Sequence, residues 1–312
     1  MGYAVLFPGQ GSQFSGMGAD LFNSRPDLLG KRAEEILGWS LEEMCLLAPE
    51  ELLIRTEHAQ PALFALSYVL WEELRPHLPK PPDAGAGHSL GEYTALTAAG
   101  VLSYDEALLL VAERGRAMAA AADQESSGMA ALIGAHLDVA EEVAAGRRAA
   151  GGRLYVANRN APGQVVMAGG QDDIEWLQAA GADLGIRRVV PLKVAGAFHS
   201  PFMAPAANRL RQALSEVKFA EPEFPVFANI DATPISTVTG LIETLVGQVI
   251  SPVLFAEILT AMSAMGIDRF IHVGPGDVTA SLAKRSIPGA ATFVVSDQAS
   301  IGPAASWLGT IA

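Results

Sequence analysis

Ser89 stands in Gly87-His88-Ser89-Leu90-Gly91, a G-x-S-x-G spacing whose chemistry is nucleophilic. Glycines on both sides of a serine let the chain turn sharply out of a strand and into a helix, so that the hydroxyl projects from the turn. The start of such a helix supplies backbone N–H groups and the positive end of a dipole, which makes the Leu90 N–H a natural donor to an oxyanion. The pentapeptide alone is moderately specific, and a strand before it and a helix after it raise its weight.

A serine hydroxyl is a weak nucleophile and needs a base. The chain offers His58, His77, His88, His136, His199 and His272, and spacing does not choose among them. His88 adjoins the serine on the turn and is expected to point away, while His77 sits among prolines in a loop. His199 lies in Gly196-Ala197-Phe198-His199-Ser200-Pro201, where an inserted unit rejoins the main body and a cleft is expected. A satisfied structural histidine stays open as the other reading. Gln10, between Gly9 and Gly11, reads on spacing as a turn residue with a free N–H, and Arg114 as the surface partner of Glu113 or Glu92. No cluster of His, Cys and carboxylates has ligand spacing, so no metal is expected.

The elements around these residues read as α/β. The apolar run Tyr3 to Phe7 is a buried strand ending in the loop Pro8 to Gln13. A helix is expected over about 60–75. Lys80-Pro81-Pro82 breaks the chain before a small-residue strand, Ala84 to Gly87, and a helix from Ser89 to Ala98 closed by Gly100. Ser103-Tyr104-Asp105-Glu106 is a capping box that starts a helix carrying Arg114 and Arg116 to about Ala122. Beyond Ser127 the order becomes strand 129–134, helix 137–149, strand 154–158, strand 164–168, helix 171–182, strand 187–194. That β-α-β-β-α-β order is the ferredoxin-like one. It divides the chain into a large subdomain, 1–127 with 197–312, and an inserted small one, 128–196. Sheet strands return at 226–229, 269–273 and 291–295.

Composition sets limits on partners. A formal charge of −13 disfavours a nucleic-acid binder, which neutralises phosphates with Lys and Arg. With 50% hydrophobic residues among 312, a large core is available. The sequence shows neither a secretory signal nor an apolar stretch of about 18 residues, so no membrane span is expected. Leu6 stands where myristoylation wants Ser or Thr. The one cysteine, Cys45, reads as an inert core thiol in a reducing, cytoplasmic setting.

Several segments together resemble the malonyl-CoA:acyl carrier protein transacylases, which are similar to the acyltransferase domains of polyketide synthases. They are Phe7-Pro8-Gly9-Gln10-Gly11-Ser12-Gln13, Gly87 to Glu92, Arg114-Gly115-Arg116, Asn160-Ala161-Pro162-Gly163-Gln164-Val165-Val166, Gly196 to Pro201 and Val273-Gly274-Pro275-Gly276. They fall in the family's order and cover nearly the whole chain. The resemblance implies an α/β fold with a hydrolase-like core, a parallel sheet flanked by helices. It implies that Ser89 is acylated, that His199 is its base, and that the N–H groups of Gln10 and Leu90 form the oxyanion hole. It further implies that the Gln248 carbonyl orients His199 and that Arg114 pairs with the malonyl carboxylate.

Phe198 resembles the form found in malonyl-selective members, where a ring beside the base would crowd an α-methyl group. Arg116 reads as structural. Asp277 departs from the basic or apolar residue usual at its place. Malonyl-CoA is then a substrate, no cofactor is needed, and the phosphopantetheine is carried by the partner, an acyl carrier protein. A monomer is the family-based expectation. Arg116, Arg159, Lys193 and Lys284 are candidates to line the approach of these anionic partners. An acyl hydrolase of the same fold, or an acyltransferase of broader specificity, is the alternative, against which the retained Arg114 argues.

Overall fold

A computed structural model of the chain describes residues 2–309. Its strands are β1 (Gly2–Phe7), β2 (Ala84–Gly87), β3 (Ser127–Ile133), β4 (Leu154–Ala161), β5 (Gln164–Gly170), β6 (Arg188–Pro191), β7 (Val226–Phe227), β8 (Pro234–Ile235), β9 (Ile267–Val273) and β10 (Ala291–Val295). Tyr3 to Phe7 are buried on both faces of the sheet, which is why β1 reads as an unbroken apolar run with no alternation. β2 is built of Ala and Gly because nothing larger fits. A Cβ on Gly85 would come within 2.8 Å of the Phe224 ring.

One sheet runs β10-β9-β1-β2-β7-β8, parallel throughout except where β8 pairs antiparallel with β7 at the edge. The two-residue β8 was not expected from sequence, and the strand expected over 226–229 stops at Phe227. The second sheet runs β4-β5-β3-β6 and is antiparallel. Helices Leu137–Ala149 and Gln171–Ala180 connect its strands in the order β-α-β-β-α-β. It has its own buried cluster around Leu132, Leu154, Met167 and Leu177.

The β4-β5 hairpin ties this second sheet to the body. Arg159 N donates to Val253 O at 2.8 Å, and Val253 N donates to Ala157 O at 2.9 Å. After Pro191 the chain leaves the sheet earlier than the strand expected over 187–194, and Leu192 to Val194 run along the cavity described below.

Two long helices pack against each other beside the main sheet. Thr56–Leu74 begins before the expected boundary, carries Pro61 inside it, and is buried along most of its length. Tyr104–Ala122 opens with the expected capping box. Glu106 N donates to Ser103 Oγ at 3.3 Å, and Ser103 N donates back to Glu106 Oε2 at 3.3 Å. The helix expected from Ser89 starts instead at Gly91. Cys45 is buried, and burial pushes its thiol up to about 12. No helix among the described residues is long and apolar enough to cross a membrane.

Ser103→Ala removes the two bonds that the hydroxyl makes with Glu106 N and Glu106 Oε2 on an exposed turn and is expected to cost about 1 kcal/mol. Urea unfolding should show a lower midpoint at unchanged slope.

Candidate active site

The carboxyl ends of β1 and β2 lie side by side, with Phe7 opposite Gly87. That end of a parallel sheet is where α/β proteins place ligands. Each strand runs into a glycine-bearing loop, and the loops touch. His88 N donates to Phe7 O at 3.0 Å. A Cβ on Gly9 would lie 2.3 Å from His88 O, one on Gly87 1.8 Å from Gly91 C, and one on Gly91 2.4 Å from Phe7 O. Only glycine fits at these contacts, and their tightness holds Gln10 beside the turn after β2. Gly274, at φ +142°, packs against Pro8 from the end of β9.

Ser89 occupies the turn with φ +53°, a left-handed conformation that costs a non-glycine residue about 1–3 kcal/mol. Side chains from distant segments clamp its backbone. Ser89 N donates to Asn229 Oδ1 at 2.7 Å, and Gln248 Nε2 donates to Ser89 O at 2.9 Å. Asn229 Nδ2 also donates to Gly87 O at 2.8 Å.

His199 Nε2 lies 2.7 Å from Ser89 Oγ, and His199 Nδ1 lies 2.8 Å from Gln248 O. A carbonyl only accepts, so the Nδ1 position carries the proton and the Nε2 lone pair faces the serine. His199 is itself left-handed, at φ +56°. Arg114 Nη2 donates to Ser89 Oγ at 3.0 Å and to Gln248 Oε1 at 2.8 Å, while Nη1 donates to Gln60 Oε1 at 2.7 Å. Donors therefore run in one direction, from Arg114 N–H through the Ser89 O–H to His199. Burial, with the Arg114 charge adding to it, lowers the pKa of His199 to about 3. The imidazole is a neutral acceptor at every physiological pH.

A cavity of about 390 Å³ opens onto the pair, between the two sheets. Gln10, Gln60, Ser89 and Met118 line it from the main body, Met129 and Asn158 from the small sheet, and Phe198 from the junction. Among the described residues, the Gln10 and Leu90 N–H groups donate to no backbone or side-chain acceptor, whereas the Gln10 side chain is tied to Thr56 Oγ1 at 3.2 Å.

A family profile described as acyl transferase domain matches residues 5–296. The malonyl CoA-acyl carrier protein transacylase of Bacillus subtilis (strain 168) is 37% identical over 300 residues, 96% of this chain and 94% of the relative. The chain belongs to this family. The acyl-carrier-protein S-malonyltransferase of Bartonella henselae superposes with a TM-score of 0.94 at 34% identity, over 99% of this chain and 100% of that one. A malonyl-transacylase solved in complex with its type II polyketide acyl-carrier protein superposes at 0.93 and 34% identity, over 98% and 99% of the two chains.

The residues that the family resemblance singled out, Gln10, Ser89, Leu90, Arg114, Phe198, His199 and Gln248, meet at this one place. Two readings made from spacing alone are corrected. Arg114 is 1% exposed and forms no surface pair with Glu113, which instead holds Arg116 at 3.3 Å and Arg209 at 2.7 Å. Gln10 is more than a turn residue, since it lines the cavity and its N–H has no acceptor among the described residues. His88 does turn from Ser89 Oγ, with Nε2 2.7 Å from Asn160 Oδ1, which gives Asn160 of the Asn160-Ala161-Pro162-Gly163 segment its place beside the turn. His58 is held by Leu52 O and His272 by Thr279.

Of the four candidate basic residues, only Lys193 lines the cavity. Arg159 pairs with Glu141 and Glu257, and Arg116 with Glu113. Asp277 is exposed and bonds Ser281 at 3.2 Å, outside the cavity wall. Asn229, Gln60 and the Gln248 side chain were missed by sequence reasoning, and Glu92, read as a surface partner of Arg114, is buried; lone polar residues in apolar segments give no periodic signal.

Because His199 stays unprotonated down to about pH 3, labelling of Ser89 by a neutral fluorophosphonate probe is expected to hold its rate from pH 8 to pH 5. A histidine of ordinary pKa would lose most of that rate below about pH 6.5.

Proposed function

We propose that the protein takes the malonyl group of malonyl-CoA onto Ser89 and passes it to the phosphopantetheine thiol of an acyl carrier protein, for fatty acid or polyketide synthesis. The observation that carries this reading is Arg114. It is a fully buried guanidinium, 3.0 Å from the nucleophilic oxygen, whose hydrogen bonds go to the neutral groups of Gln60, Ser89 and Gln248. A buried cation with no carboxylate in hydrogen-bond contact is costly, and an acyl group that brings its own carboxylate supplies that contact.

His199 Nε2 removes the Ser89 proton as Oγ attacks the thioester carbonyl. The N–H groups of Gln10 and Leu90 receive the developing oxyanion, and the imidazolium returns its proton to the departing CoA thiolate. A malonyl ester remains on Ser89, its carboxylate on Arg114. That carboxylate offsets the Arg114 field, which in the free site depresses His199, so the imidazole gains basicity for the second half-reaction. The carrier's thiol then attacks the ester, giving ping-pong kinetics. Phe198, on the cavity wall beside His199, leaves little room for an α-methyl branch and favours malonyl over methylmalonyl.

Protein groups carry every step, so the mechanism calls for no cofactor, and a single buried thiol suits the cytoplasm. The separate cluster around Leu132 and Met167 supports reading 128–196 as an inserted ferredoxin-like subdomain. On that reading, 1–127 and 197–312 form the hydrolase-like catalytic one.

Brief incubation with malonyl-CoA followed by intact-protein mass spectrometry should show one malonyl adduct, absent from Ser89→Ala. An adduct persisting in Ser89→Ala would overturn the nucleophile, and adducts that decay to free acid without a carrier would indicate a hydrolase. Arg114→Ala should erase the preference for malonyl over acetyl, about 10- to 150-fold for a charged hydrogen bond of about 1.5–3 kcal/mol. Competition between the two acyl-CoAs measures it.

A further inference from the structure

Glu92 is completely buried on the helix that follows Ser89, and the mechanism above does not use it. Its Oε2 accepts from Gln248 Nε2 at 2.7 Å and from Asn229 N at 3.1 Å, while Oε1 has no hydrogen-bond partner. The Gln248 amide has one possible orientation. Arg114 only donates, so Gln248 Oε1 faces Arg114 and Nε2 faces Glu92. One side-chain amide therefore joins the buried carboxyl to the buried guanidinium.

We propose that Glu92 is the internal counter-charge of Arg114, relayed through Gln248, and that it takes up a proton from solvent when a malonyl carboxylate occupies the clamp. The proposal rests on the substrate reading given above. In the free site two hydrogen bonds and the Arg114 charge favour carboxylate, whereas burial favours the neutral acid. Burial prevails enough to raise its pKa to about 7. The groups that face Glu92 are Arg114 from the helix Tyr104–Ala122, the amide of Gln248, the Asn229 backbone, and Asp231, whose negative charge also raises it; Tyr93 adjoins it on its own helix.

A second carboxylate on Arg114 removes the one charge that holds Glu92 ionised. The unpartnered Oε1 is then the atom that takes the proton. Glu92 is a positioning group: it touches neither substrate nor reacting atoms.

The sign follows. Binding coupled to proton uptake weakens as pH rises above the free Glu92 pKa, by up to about tenfold per pH unit for one linked proton. The test uses full-length Ser89→Ala protein, which binds without reacting, titrated calorimetrically at pH 7.5 with malonyl-CoA and with acetyl-CoA. Buffers of differing ionisation enthalpy give the protons taken up. Acetyl-CoA shares every CoA ionisation and lacks only the carboxylate.

The expected result is net uptake with malonyl-CoA alone, abolished by adding Glu92→Gln, together with a malonyl-CoA affinity that falls from pH 7 to 8.5 only where Glu92 is present. Equal uptake with both ligands, no uptake, or uptake surviving Glu92→Gln overturns the proposal. Should Glu92→Gln not fold, the difference between the two ligands on the Glu92-bearing protein still decides. Failure of malonyl-CoA to bind at all overturns the substrate reading, and this proposal with it.

Discussion

Two residues in left-handed backbone conformations, Ser89 and His199, face each other across 2.7 Å. Neither is glycine, so each conformation must be imposed from outside. For Ser89 the means are visible in its own peptide groups, one held by Asn229 and the other by Gln248. Those two side chains come from segments far along the chain. The large sheet, the glycine contacts and the two loops serve to bring them to that point, and the cost of the strain is spread over the polar network.

The network explains why so polar a centre survives in an apolar body. Arg114, Gln60, Gln248, Glu92 and Asn229 are all buried, and nearly every donor finds an acceptor among the others. Gln248 is the crossing point. Its carbonyl holds the imidazole, its amide nitrogen holds the serine backbone and Glu92, and its amide oxygen holds Arg114. Orientation of the base, shape of the turn and placement of the positive charge thus depend on one residue. Partly satisfied networks of this kind are costly, and two loose ends remain here, Glu92 Oε1 and Arg114 Nε.

Much of this was legible in the sequence. Gly87 to Gly91 announces the turn because glycine alone fits contacts of 1.8 to 2.4 Å. Arg114 and His199 stood out once several segments were read together, since neither spacing nor composition singles them out. The element order 129–194 followed from periodicity, with boundaries drifting where the chain bends. What stayed hidden shares one physical character. Asn229 acts through contacts across 140 and 142 positions, and its side-chain partners are backbone atoms, which leave no trace in residue types. β8, two residues long, is too short for any pattern.

The proposed nucleophile, Ser89, and its proposed base, His199, lie 110 positions apart, with the small sheet between them, and the carbonyl that His199 Nδ1 meets lies further on at Gln248. A chain leaving the ribosome exposes Ser89 long before either. Until then the serine has no acceptor for its proton, and its peptide groups have no clamp to keep the turn. Gln248 must clear the exit tunnel before His199 Nδ1 has the carbonyl that sets its tautomer. On the proposed mechanism, the half-made protein therefore meets the cell's acyl-CoA pool with an ordinary, unreactive hydroxyl.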